Sequence, residues 1–351
     1  MTESSTRTTR QFMGIHPTVF RHPLDDKALK TLQGFKGLDF ICKKVLEYGA
    51  ERIMHIENVG NRVRVGPGQL PELYGMVHHA CLTLDLPPVD LYVEMSPIPN
   101  AFTYGVTRPF VVITTGLMDL MTPEELVGVL GHELGHVLCR HVLYRIVARN
   151  ISEITSILGQ ATLGVGRLIS QGLVYALREW YRKSEYSADR AGLLVCQDPK
   201  IMVSIMMKLA GGSNRYTKHM NPEAFLEQAR EYDDLDDSHL NRAYKFLQDI
   251  ELTHPIPVLR AKEIDKWSRS RDYQSVLAGD YEKRPKGRPQ CGYCKAKVPD
   301  SDSFCPSCGA PVSGADLPRR QPGSPAQNCP SCLAAVPPEF DDCPVCGESL
   351  G

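Results

Sequence analysis

The chain has 351 residues, a formal net charge of −1 and 42% apolar residues. That length allows one catalytic domain of ordinary size and a small appendage, and the charge balance excludes a basic field built for nucleic acid. Met1 to Arg10 is polar and rich in Ser and Thr with no apolar run behind it, so no secretory signal is read here and the chain is expected to stay in the cytoplasm.

Along the chain, residues 1–18 read as a disordered tail, followed by a helical pattern from about Asp25 to Gly49 and a strand pair over Arg52 to Val65. Pro71 to Leu86 predicts another helix, on which His78 and His79 read as a flank rather than a metal site. Val89 to Met95 and Phe110 to Thr114 supply a sheet, and helices carry the rest to Asp272. Cys42, Cys81, Cys139 and Cys196 sit in apolar contexts and read as buried free thiols.

The decisive stretch begins at Thr122-Pro123-Glu124-Glu125. Thr122 is a good N-cap, Pro123 suits the first turn and Glu125 completes a capping box. Leu126, Val129, Leu130, Leu134, Val137 and Leu138 then recur at three- and four-residue intervals, which predicts a helix packed on a core. His132 and His136, four apart, project from one side of it, and Glu133 lies one residue round. Forty-nine positions after His136, Glu185 opens Glu185-Tyr186-Ser187-Ala188-Asp189, also on helical spacing. Two imidazoles and a carboxylate make a three-ligand zinc site with a position left for water, the pattern of a catalytic rather than a structural site. Glu133 is then the general base toward a metal-activated water. Asp189, one turn beyond Glu185, is expected to accept the free ring N–H of His132 and fix its tautomer.

Ile154 to Leu177 carries a single charge, Arg167, and so must be weighed as a membrane span. One crossing would put His136 and Glu185 on opposite sides of the bilayer, and a hairpin needs about 40 apolar residues. With Gly159, Gly164, Gly166 and Gly172 interspersed, the segment reads instead as buried helix broken by glycine, or a lid, with peripheral membrane contact as the alternative. The acidic run Glu231 to Asp237 has the wrong spacing for a calcium loop and reads as a solvated helix start.

Of the 12 cysteines, eight fall in two blocks of identical spacing, Cys291-x2-Cys294-x10-Cys305-x2-Cys308 and Cys329-x2-Cys332-x10-Cys343-x2-Cys346. Each block presents four thiolates to one tetrahedral zinc. The repeat resembles a double zinc ribbon, joined to the main domain by a Lys/Arg/Pro/Gly linker from Tyr281 to Gln290 and divided by Asp316 to Gln327. The expected domains are a metallopeptidase over 19–280 and ribbons over 291–310 and 329–348.

Several motifs together resemble the HtpX and CaaX-prenyl endopeptidase family of gluzincin metalloproteases. They are Asn100-Ala101-Phe102, the strand Phe110 to Thr114 running into Thr115-Gly116-Leu117, the helix holding His132 and His136 and ending at Arg140-His141, Ser184 to Gly192, and Thr253-His254-Pro255 with Arg260. The resemblance covers roughly residues 20 to 270. It implies an α+β fold, mostly helical with a small mixed sheet. It implies that the strand carrying Val112, Ile113 and Thr114 is the edge on which substrate adds as a β-strand, with Asn100, Ala101 and Phe102 bordering the cleft. It further implies that His254 is a transition-state oxyanion donor or an occluding fourth zinc ligand, against a plain capping histidine in a Pro-rich loop. Arg260 is expected to hold that loop by pairing with a carboxylate.

Two functions follow. One is a zinc endopeptidase acting on protein or peptide substrates, with one catalytic and two structural zinc ions and with ribbons that recruit partners. The other is a latent protease fold acting as a zinc-ribbon adaptor. The intact set His132, Glu133, His136 and Glu185 favours the first. Residues 281–351 carry eight Lys/Arg against eight Asp/Glu, which argues against nucleic acid and for protein contact.

Overall fold

A computed structural model describes residues 9–34, 42, 50–106, 108–149, 165–213, 215–235, 256–284, 327–328 and 335–336, without the side chains of 50, 51, 149 and 165–171. His254 and the eight ribbon cysteines lie outside the described residues, as do 154–164 of the glycine-rich segment.

The helices are α1 (Pro23–Gln33), α2 (Ala50–Asn61), α3 (Pro71–Thr83), α4 (Thr115–Leu120), α5 (Pro123–Leu138), α6 (Val142–Arg149), α7 (Val165–Cys196), α8 (Pro199–Gly211), α9 (Pro222–Asp234), α10 (Pro257–Ser268) and α11 (Arg271–Ala278). The strands β1 (Val63–Arg64), β2 (Asp90–Glu94), β3 (Ala101–Tyr104) and β4 (Phe110–Thr114) form one sheet in the order β1-β2-β4-β3. β2 and β4 run parallel, and the outer strands are antiparallel to them. This is the α+β, mostly helical architecture with a small mixed sheet that the sequence implies. Separately, β5 (Gln327–Asn328) pairs antiparallel with β6 (Ala335–Val336).

Both faces of the sheet are covered. Val111 and Ile113 of β4 enter a core with Leu134 of α5, Leu194 of α7 and Met202 of α8, whereas Phe110 and Val112 enter a second core with Ile146 of α6 and Trp180 of α7. A strand buried on both faces reads as a continuous apolar run, as Phe-Val-Val-Ile-Thr does.

Five expectations are corrected. The strand lined by Val112, Ile113 and Thr114 is central, and β3 is the edge on that side. Arg52 to Val65 is mostly helix, with only Val63–Arg64 paired to β2. The apolar residues Ile53, Ile56 and Val59 recur every three positions, a helical spacing that outweighs their β-branching. The N-terminal stretch belongs to the fold from residue 9: Phe12 and Ile15 are fully buried, Phe12 N–H donates to Thr83 O at 2.8 Å, and Arg284 N–H donates to Gly14 O at 2.7 Å. That last bond also moves the start of the expected linker past Arg284. Finally, Glu231 to Asp234 close α9 rather than start it, because Asn221 caps the helix at its other end.

Within 165–196, Gly166 and Gly172 do not break the helix. Among the described residues, no helix is long and apolar enough to cross a membrane.

Candidate metal centre and cleft

The capping box at α5 forms as the sequence predicts. Thr122 Oγ1 accepts from Glu125 N–H at 3.3 Å, and Glu125 Oε2 accepts from Thr122 N–H at 2.7 Å. The same buried carboxylate takes Lys208 Nζ at 2.5 Å and Ser204 Oγ at 2.6 Å from α8, so the cap also ties two helices together.

α5 approaches α7 closely because the facing residues are small. A Cβ added to Gly131 would lie 2.6 Å from Val195 Cβ, and one added to Gly135 would lie 2.6 Å from Ala191 Cβ. His132 and His136 are the next residues round, so this contact sets their distance from Glu185 on α7. Any side chain at Gly135 forces the helices apart, an overpacking that costs about 1–3 kcal/mol.

The three expected ligands meet. His132 Nε2 and His136 Nε2 are 3.2 Å apart, and the two oxygens of Glu185 each lie 3.4 Å from one of those nitrogens. All three side chains are buried, and their donor atoms fall within 4.8 Å of one another. Two imidazole nitrogens and one carboxylate oxygen converging on one point fit zinc, whose open sites take this donor set.

The support of each ligand is visible. His132 Nδ1 lies 2.8 Å from Asp189 Oδ1, and Asp189 in turn accepts from Arg260 Nε at 2.8 Å and Nη2 at 2.5 Å. Arg260 therefore does pair with a carboxylate, but that carboxylate stands behind His132, one of the three candidate ligands. Arg145 on α6 donates to Glu185 Oε1 and reaches His136 Nε2 at 3.0 Å and Tyr181 Oη at 2.8 Å. His136 Nδ1 lies 2.9 Å from His141 Nδ1.

Charge in the site follows from these contacts. Burial pulls the His132 imidazolium down, but bonding to Asp189 and Glu185 outweighs it and holds the pKa at about 9. Burial and the Arg145 charge together push His136 well below the usual histidine range. Burial works to raise Asp189, yet Arg260 and His132 keep it below the ordinary carboxylate value. Burial pushes the Cys139 thiol, three residues after His136, up to about 12, and among the described residues the ligand atoms that gather are those of His132, His136 and Glu185, without Cys139.

Glu133 is buried and lines the same cleft as His132 and Glu185. Its Oε2 accepts from Thr103 Oγ1 at 2.7 Å, and Thr103 also donates to Glu133 O at 3.1 Å, which ties the edge strand β3 to α5. His132, Glu185 and Glu133 line a cleft of about 460 Å³. Asn100 and Ala101 form one rim, Val129, Met202, Ile205 and Met206 form an apolar wall, and Arg260 closes another side.

Other expected substrate residues lie elsewhere. Phe102 packs on the second core, and Val112 and Ile113 are inside the two cores. Thr114 Oγ1 accepts from Asn100 N–H at 2.9 Å and donates to Ile98 O at 2.8 Å, so it anchors the loop that presents Asn100. Thr103, Arg145, His141 and Asp25 were not singled out from the sequence as site residues. Of these only His141 carried a local signal, its place at the end of the histidine helix.

A buried His-His-Glu donor set with a further carboxylate beside it, opening on a cleft under an edge strand, defines the centre of a metalloprotease. Comparison with known proteins gives the family: residues 71–268 match peptidase family M48, and the chain belongs to it. Residues 291–347 match the double zinc ribbon. The chain is 43% identical over 261 residues to plastoglobule-localized metallopeptidase 48, chloroplastic, from Arabidopsis thaliana, covering 74% of each protein. It is 31% identical over 173 residues to protease HtpX homolog 2 of Methanosarcina mazei, with 43% of this chain and 59% of that protein covered. A protease HtpX homolog of Moorella thermoacetica is likewise 31% identical, over 178 residues, with 43% of this chain and 58% of that protein covered.

Proposed function

We propose that the chain is an endopeptidase that cleaves extended segments of protein substrates. The observation that carries this reading is the position of Glu133, in the cleft beside the three ligands yet bonded to none of them. A zinc ion held by His132, His136 and Glu185 would supply Lewis-acid polarisation of the scissile carbonyl and an acidified water. Glu133 takes a proton from the attacking water as its oxygen adds to the carbonyl carbon. It then returns that proton to the departing nitrogen as the C–N bond breaks.

Substrate is read as an added strand on the free edge of β3, above Ala101 and beside Asn100, where main-chain hydrogen bonds give affinity without demanding a sequence. The wall of Val129, Met202, Ile205 and Met206 favours a large apolar side chain next to the scissile bond. His254 is read as the donor to the developing oxyanion or as an occluding ligand, as the family resemblance implies. The ribbons are read as two structural zinc modules that recruit protein partners, and their thiolates call for a reducing compartment such as the cytoplasm. A shallow lipid contact has support in the exposed Ile53, Ile56 and Val59 on one side of α2 and in the plastoglobule location printed for the plant relative.

Protein purified under reducing conditions is expected to carry about three zinc ions per chain. It should cleave an unfolded casein-type substrate only while zinc is retained. One zinc ion would remove the ribbons from the account, and cleavage that survives full chelation would remove the mechanism.

A further inference from the structure

The rings of His132 and His136 are held in different ways. His132 leans directly on the Asp189 carboxylate. The outer nitrogen of His136 meets another imidazole, that of His141, and His141 Nε2 lies 3.1 Å from Asp25 Oδ2. Asp25 Oδ2 also accepts from Ser187 Oγ at 2.6 Å, and Ser187 Oγ accepts from His22 N–H at 2.9 Å. All members of this chain are buried. The turn Glu185 to Asp189 thus serves the centre three times: Glu185 as ligand, Asp189 behind His132, and Ser187, through Asp25 and His141, behind His136.

The backbone is bent to put His141 there. α5 ends with Arg140 at φ 61°, in the left-handed region that a residue with a Cβ enters at a cost of about 1 kcal/mol. Arg140 N–H then donates to Val137 O and His141 N–H to His136 O at 2.9 Å, a Schellman closure. That closure folds residue 141 back over the last turn, beside His136. Trp180 packs edge-on against the His141 ring, with centroids 5.5 Å apart, and fixes its plane.

We propose that His141 and Asp25 are positioning residues that select the tautomer of His136 and so set the metal affinity of the centre. The inference rests on the metalloprotease reading above. If Nε2 of His136 is to offer its lone pair to the metal, Nδ1 must carry the proton and donate it. The atom facing it, His141 Nδ1, must then accept, which requires the neutral His141 tautomer protonated on Nε2. Asp25 selects that tautomer by accepting the Nε2–H. No group changes protonation state, since the chain only orders the hydrogens. Asp25 lies outside residues 71–268, so the N-terminal segment is part of the metal centre and not an addition to it.

The full-length protein tests this with readouts other than activity. Histidine nitrogen NMR of the zinc-loaded wild type should show His141 protonated on Nε2 and His136 on Nδ1; a His141 ring protonated on Nδ1 overturns the proposal whatever the variants do. In chelator competition, His141→Leu and Asp25→Leu should each lose roughly 10- to 100-fold in zinc affinity. His141→Asn, which can keep an oxygen acceptor near the Nδ1 position, should recover most of it. Wild-type affinity in both leucine variants, or equal loss in His141→Asn and His141→Leu, overturns the tautomer role. Failure of the proteolytic reading would appear separately, as zinc-loaded wild type that cleaves no unfolded protein substrate while these tautomers and affinities hold.

Discussion

Glu133→Gln is expected to keep its full zinc content and to lose about 10²- to 10⁴-fold in turnover of an unfolded protein substrate. The glutamine fills the same buried volume, and its carbonyl oxygen can accept the hydrogen bond from Thr103 as the carboxylate does. Neither the packing of α5 nor the meeting of His132, His136 and Glu185 depends on the charge of this side chain. What is lost is the capacity to hold a proton between attack and departure of the amine. Zinc by elemental analysis and turnover on the same preparation separate the two effects. Undiminished turnover removes Glu133 as the base, and lost zinc would show that it has a structural part at the centre instead.

Asp189→Ala is expected to destabilise the protein by about 3–5 kcal/mol, the range for breaking a buried ion pair from one side. Arg260 is buried and makes two short contacts to Asp189, whereas its approach to Glu185 is 3.6 Å. Removing the carboxylate strands a guanidinium in the interior and leaves His132 Nδ1 without its acceptor. Asp189→Asn keeps one acceptor oxygen and should lose less. Urea denaturation of the zinc-loaded proteins measures the difference, and an alanine variant with the wild-type midpoint contradicts the arrangement.

The candidate ligands are legible because they are stated locally. A capped helix fixes where His132 and His136 point, and the ExxxD spacing at Glu185 and Asp189 places two carboxylates on one side of a second helix. What escaped was set by tertiary structure. Phe110 to Thr114 looks the same in sequence whether it is an edge or a centre; only the pairing of β3 on its outer side makes it central. A continuous apolar run was itself an argument for burial on both faces. Thr103, Arg145 and Asp25 are 30, 40 and 162 residues from Glu133, Glu185 and Ser187, the groups they bond, and nothing near them in the sequence marks that meeting. Ile53, Ile56 and Val59 misled through β-branching, although their spacing was helical. The N-terminal stretch misled because Phe12 and Ile15 are too few and too irregular to show a period, while both are fully buried.

The most direct test of the centre is an anomalous difference map recorded at the zinc edge on crystals of the purified protein. The account predicts a peak at about 2.0–2.2 Å from His132 Nε2, His136 Nε2 and a Glu185 oxygen together. An ion bound elsewhere, with the Glu185 carboxylate turned away from the two imidazoles, would contradict it.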